Sequence, residues 1–196
     1  MQSLISYGQD FSFSLIPTVN SASYLRLVDG GVVTVREPGC IVSFEYELGN
    51  SNRITYGVGL SYQFSQVTLK AQKIPGYENP LSHKEKVNLL LFSLKSVYNM
   101  RNDYYLSFDP FVGIQLESDS QKTIDDQTGL GLSLGIGKKI DIGEPFYLKI
   151  EPRLGISNIV PFRKENLPLR VIACGLKLGV GIRNKRLSDK WTTPDY

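Results

Sequence analysis

The chain of 196 residues offers few groups able to do covalent or metal chemistry. His83 is its one imidazole. Ser82 precedes it, and neighbours on an extended chain point to opposite faces, so a Ser82–His83 nucleophile–base dyad is geometrically awkward. Cys40 and Cys174 are far apart in sequence and form no CxxC pair, and a single histidine cannot complete a usual zinc set. Gly129-x-Gly131 and Gly135-x-Gly137 sit inside an alternating apolar/polar run with no helix after them, which leaves a dinucleotide loop unsupported. His83, Lys84 and Lys86 form a small basic group suited to phosphate, although charge runs of this kind are usually solvated loops. The sequence thus offers no catalytic, cofactor or metal site. Its one concentrated set of reactive groups is a balanced set of charges: Glu45, Glu47, Asp109, Glu117 and Glu151 against Arg53, Lys95, Lys149, Arg153 and Lys177.

These charges recur at alternate positions of strand-like segments. From Arg53 to Gln66, Ile54, Tyr56, Val58, Leu60, Tyr62 and Phe64 share one face, and Thr55, Gly57, Gly59, Ser61 and Gln63 share the other. The same period of two runs from Asp10, Gly39, Asn88, Leu106, Gly129, Leu148 and Ile172, with Leu89 and Leu91 as exceptions. About eight strands result, an even number suited to a closed antiparallel barrel. The connections alternate in length. Asn20 to Pro38, Ala71 to Lys86, Ser118 to Gln127 and Pro161 to Pro168 are the longer ones; Gly49 to Asn52, Asn99 to Asp103 and Asp141 to Pro145 are short. Short periplasmic turns and longer outer loops give a transmembrane barrel this pattern.

The two faces differ in bulk. Leu, Phe, Ile and Tyr would overfill a narrow eight-stranded lumen, whereas Gly and Ser leave room for long charged side chains. The apolar face is therefore expected outside, against lipid. The charges then point inward, pair with one another and close the lumen as a structural network rather than line a pore. Tyr46, Tyr56, Tyr98, Tyr104 and Phe146 beside the short turns, with Tyr62 and Phe64 farther up, suit two interfacial girdles. The segment from Phe146, FYLKIEPRLGIS, echoes YYLSFDPFVGIQ from Tyr104, which reads as a duplicated hairpin.

Composition agrees with a folded domain: hydrophobic content is 41%, charged content 21%, and mean hydropathy -0.13. That excludes disorder, and no apolar run is long enough for a membrane helix. A net charge of +3 without a basic cluster argues against nucleic acid. The first residues, Met1 to Ser6, show no signal peptide, so the expectation for an exported chain is that one has been removed.

On the strands Ile54 to Tyr62 and Tyr147 to Gly155 and on the loop asymmetry, the chain resembles the small eight-stranded outer-membrane β-barrels of Gram-negative bacteria. The resemblance implies an all-β, antiparallel up-and-down transmembrane barrel over residues 10–183, a periplasmic segment at 1–9 and a polar tail at 184–196. It departs from such barrels in that tail, which follows the last strand and carries Trp191 and Tyr196. The resemblance implies an outer-membrane location, outer-membrane lipid and lipopolysaccharide as surroundings, and a monomer. It also implies a structural role, or recognition of an extracellular protein or glycan by the longer loops, near Tyr24 to Glu37, Lys73 to Lys86, Lys122 to Asp126 and Phe162 to Glu165. Some relatives modify lipid A acyl chains, but their His and Ser two apart on a strand are absent here. A lipid-modifying enzyme and a soluble lipid-binding barrel remain the alternatives.

Overall fold

The computed structural model describes residues 8–24, 33–49, 53–70, 82–116, 126–163 and 169–184. The strands are β1 (Gly8–Tyr24), β2 (Val33–Val35), β3 (Glu37–Gly49), β4 (Ile54–Lys70), β5 (Ser82–Asn99), β6 (Tyr104–Gln115), β7 (Gly129–Gly143), β8 (Phe146–Pro161) and β9 (Leu169–Asn184). All pairings are antiparallel, in the order β4-β3-β1-β9-β8-β7-β6-β5, and β4 pairs with β5 to close the ring. Eight strands therefore form the barrel. β2 continues the line of β3 past Arg36 and pairs with the far end of β4. Closure leaves no sheet edge within the ring, as a backbone crossing hydrocarbon requires.

The short connections use residues that tolerate unusual backbone. Asn102 and Asp103 have φ of 60° and 62° in the β5–β6 turn, where Asn and Asp are the usual non-glycine occupants. Gly143, at φ 130°, begins the turn from β7 to β8, a conformation that strains any residue with a Cβ. The strands reach into the expected long connections. β1 runs on to Tyr24, Val33–Val35 is strand, and β5 begins at Ser82 rather than after Lys86. His83 thus lies in β5, its backbone opposite Leu69.

The bulky residues face out. Phe13 is 57% exposed, Leu94 67% and Phe108 49%, while alternate residues such as Ser14 and Lys177 are fully buried inside the ring. A soluble ligand-carrying barrel needs the opposite arrangement, so that alternative is excluded by the faces themselves. The outer wall is a continuous apolar band that only lipid can cover. Tyr56, Tyr98, Tyr104 and Phe146 stand exposed at its short-turn rim, and Phe11 packs beside Tyr46 with ring centroids 4.7 Å apart.

Above that band the chemistry of the two faces exchanges while the alternation continues. On β5, Leu90, Phe92 and Leu94 point outward, but so do Lys84 and Lys86 farther up. Inward on the same strand, Lys95 and Ser93 give way to Leu91, Leu89 and Val87. β4 changes likewise after Ser65: Val67 and Leu69 turn inward and are buried. Ala22, Val67, Leu69, Val87, Leu89, Leu91, Phe111, Leu169 and Val171 form one buried apolar cluster there. A wall in lipid must be apolar outside, whereas a wall in water must be apolar inside. The exchange marks where the bilayer ends. β4 and β5, at 17 and 18 residues, exceed the roughly 9–11 needed to cross it. The expectation of a polar lumen therefore holds only for the part nearer the short turns. Leu89 and Leu91, exceptions by sequence, belong to this upper core.

Candidate functional site

The half of the lumen nearer the short turns holds a layer of charges. Glu45, on β3, is its centre: it accepts from Lys95 at 2.5 Å, lies 3.5 Å from Lys149, and pairs with Lys177. Ser12 also donates to it, at 3.3 Å. Glu47, two residues along the same face, accepts from Lys149 at 2.5 Å and lies 3.3 Å from Lys95. Lys139 bridges Glu47 at 3.0 Å and Asp10 at 3.3 Å, toward the short-turn rim. On the other wall Arg153 donates to Asp109 at 2.5 Å and lies 3.6 Å from Glu151. Glu151 joins the two groups through Lys177, 3.6 Å away, and accepts from Tyr105 Oη at 2.9 Å and Ser107 Oγ at 3.0 Å.

Eight of the ten charges read from the sequence thus converge: Glu45, Glu47, Lys95, Asp109, Lys149, Glu151, Arg153 and Lys177. Arg53 does not; it is exposed at the short-turn rim, before β4 begins. An expectation built on strict alternation fails there because Arg53 precedes the first paired residue of the strand. Glu117 lies outside the described residues. Asp10 and Lys139 were missed. Asp10 could have been found, since it shares a face with Ser12, but Lys138-Lys139 gave no sign of which lysine turns inward.

The network lies where the backbone ladder is interrupted. Pro17, Pro110 and Pro152 all stand on the lipid-facing side of their strands, and proline has no N–H to donate. Pairing skips from Ser93↔Phe111 to Ser96↔Phe108 at Pro110, from Gly135↔Arg153 to Lys138↔Ile150 at Pro152, and from Leu15↔Leu178 to Thr18↔Gly175 at Pro17. The inward residues beside these gaps include Lys95, Asp109, Glu151 and Lys177. Charge-assisted bonds cross the lumen at the level of these gaps. The two repeated segments take equivalent places: Tyr105 and Tyr147 point inward against Gly137 and Gly181 of the next strand, Asp109 and Glu151 point into the lumen, and each following proline breaks the ladder with the preceding strand.

Between the charges and the apolar cluster lies a cavity of about 40 Å³, bounded by Glu45, Asp109 and Arg153 below and Leu91 and Phe111 above. That is room for a water molecule or two, not for a passing solute. The lumen is closed twice, by ion pairs and then by apolar side chains. Among the described residues the acids and bases of this layer are paired with one another. Among the described residues no cluster of acidic, Cys or His groups is placed to hold a metal. Cys40 and Cys174 are free thiols on the outer face, separated by β1. Of the loop expectations, residues 25–32, 71–81, 117–125 and 164–168 lie outside the described residues, as do the side chain of His83 and the segments 1–7 and 185–196.

No family model matches the chain, and no curated protein matches it in sequence. Solved structures do share its fold. Neisserial surface protein A is 15% identical, with 88% of this chain and 96% of that chain covered and a TM-score of 0.50. The outer membrane protein OprG from Pseudomonas aeruginosa is 13% identical, with 91% and 97% covered and a TM-score of 0.51. The outer membrane protein AlkL, solved in lipid bilayers, is 13% identical, with 93% and 92% covered and a TM-score of 0.51. At such identities the likeness carries the fold, which is that of the small eight-stranded outer-membrane β-barrel.

Proposed function

We propose that this chain, an integral outer-membrane protein with an eight-stranded transmembrane barrel, works from its extracellular end as a rigid stem for recognition loops. One observation carries the reading: the lumen is blocked at two levels, and β4 and β5 continue beyond the lipid band with their faces exchanged. A pore needs an open lumen, and a purely structural span needs no wall above the bilayer. In this reading the wall built for water carries the ends of the connections 25–32, 71–81, 117–125 and 164–168, which themselves lie outside the described residues. Loops on a rigid scaffold are where binding is normally built. Their sequences set Leu25, Leu27, Val32 and Tyr77 beside charges, a mixture suited to a protein or glycan partner. In this reading the chain is not an enzyme and needs no cofactor, the lumen charges are structural, and the protein is a monomer in lipid and lipopolysaccharide.

The test is to shorten each connection and measure adhesion of expressing cells to immobilised host-type proteins and glycans. Folding is checked in parallel by heat-dependent gel mobility. The reading requires at least one shortened variant that folds but loses adhesion. If wild-type cells bind nothing more than cells lacking the protein, and lipid A from the two strains differs in acyl chains, the enzyme alternative replaces it. His83→Ala would then show whether the imidazole takes part.

A further inference from the structure

The lipid-facing wall is not uniform. At one level around the barrel the outward residues run Tyr56, Ser96, Phe108 and Leu134, on β4, β5, β6 and β7, paired rung to rung. Ser96 is the small and polar member. Flanked by Tyr56 and Phe108 and capped along its own strand by Leu94 and Tyr98, it leaves a notch in an otherwise bulky surface. The structure shows the consequence as a groove of about 490 Å³ with Ser96 and Gly135 in its lining and Ile54, Tyr56, Tyr98, Leu106, Phe108 and Leu134 as apolar lining. Just above it the β5–β6 ladder skips two rungs at Pro110, so Leu94 has no proline N–H to pair with its carbonyl.

The groove lies in the periplasmic half of the band, because Ile54 and Tyr98 adjoin the two short turns. Those turns carry Arg53 and Arg101, both exposed, and Lys138 stands nearby on the outer side of β7, its Nζ 5.1 Å from the Tyr104 ring centroid. The Arg53 carbonyl accepts from the Asn99 backbone at 2.7 Å, which holds the start of β4 beside the end of β5. Among the described residues none of these three cations has a carboxylate partner. Arg53, idle with respect to the lumen, thus acquires a place at the foot of the groove.

We propose that this groove is a binding site for an anionic glycerophospholipid of the periplasmic leaflet. One acyl chain lies over Ser96 between Tyr56 and Phe108, and the phosphate is held by Arg53 and Arg101, with Lys138 beside them. Arginine suits phosphate because its planar fork donates two parallel bonds, and exposed cations at a membrane rim gain from lipid charge. The site sits on the opposite leaflet from lipopolysaccharide, so the occupant is a phospholipid, and the charge selects phosphatidylglycerol or cardiolipin over phosphatidylethanolamine.

Native mass spectrometry of the full chain, refolded with equal amounts of phosphatidylglycerol and phosphatidylethanolamine, tests this. The wild type retains one lipid, predominantly phosphatidylglycerol. Arg53→Gln/Arg101→Gln loses that preference, by about fivefold for each cation removed, but still retains lipid. Ser96→Leu fills the groove floor and releases both lipids; an outward leucine is compatible with the wall, and unchanged heat-dependent gel mobility confirms its fold. Retention of phosphatidylglycerol by Ser96→Leu at the wild-type level overturns the site. Equal retention of the two lipids by the wild type overturns the headgroup assignment, and no retained lipid overturns both. None of these outcomes bears on adhesion by the loops.

Discussion

Replacing Glu45 by glutamine removes one negative charge from the centre of the lumen while keeping its shape. Glu45 is 3% exposed, and three lysines converge on it: Lys95 at 2.5 Å, Lys149 at 3.5 Å, and Lys177 in direct contact. Five carboxylates, Asp10, Glu45, Glu47, Asp109 and Glu151, meet five cations, Lys95, Lys139, Lys149, Arg153 and Lys177, so removal leaves one buried positive charge uncompensated. Removing one partner of a buried pair costs about 3–5 kcal/mol, against about 0–1 kcal/mol for an exposed pair. At about 2 kcal/mol per molar urea, the unfolding midpoint in detergent micelles should fall by roughly 2 M. Glu45→Gln/Lys177→Met restores the balance and should recover roughly half of the loss or more, because the penalty comes mostly from the stranded charge. A single-variant loss below about 1 kcal/mol, or a double variant whose loss is the sum of the two singles, would refute the claim that the lumen charges form a buried, mutually compensated network.

Two other outcomes follow from the same structure. Leu134→Arg, on the lipid face near the middle of β7, should cost about 2–4 kcal/mol in a bilayer; urea unfolding in lipid vesicles checks it, and a negligible cost would mean that Leu134 does not face hydrocarbon. Reconstituted into planar bilayers, the protein should give no stable porin-like current, since the charge layer and the apolar cluster both block the lumen; a reproducible large conductance would contradict both blocks.

Much of this architecture is legible in the sequence because a membrane barrel writes its faces in a period of two. Gly57, Gly59, Ser61 and Gln63 opposite Tyr56, Val58, Leu60 and Tyr62 fix both the strand and its orientation, and most lumen charges follow from that parity. Parity alone does not say where the bilayer ends. Val67, Leu69, Val87 and Leu89 keep the alternation and reverse its meaning, so a reader looking for one apolar face sees exceptions rather than a second core. Arg53 was misplaced for a related reason: alternation extended one residue beyond the strand carries no information. The groove at Ser96 has no signal along the chain. It depends on which residues of β4, β6 and β7 share its rung, and register between strands is set by turns and bulges, such as the one at Asn158, that the sequence does not spell out.

The claim that the wall passes from lipid into water while its alternation continues is tested most directly along β5. Spin labels placed one at a time at Lys84, Lys86, Leu90, Phe92 and Leu94 all point outward, so none crowds the lumen. In bilayers, collision with oxygen should dominate at Leu90, Phe92 and Leu94, and collision with a water-soluble nickel chelate should dominate at Lys84 and Lys86. Lipid-like accessibility at Lys84 and Lys86, or water-like accessibility at Phe92 and Leu94, would contradict the account.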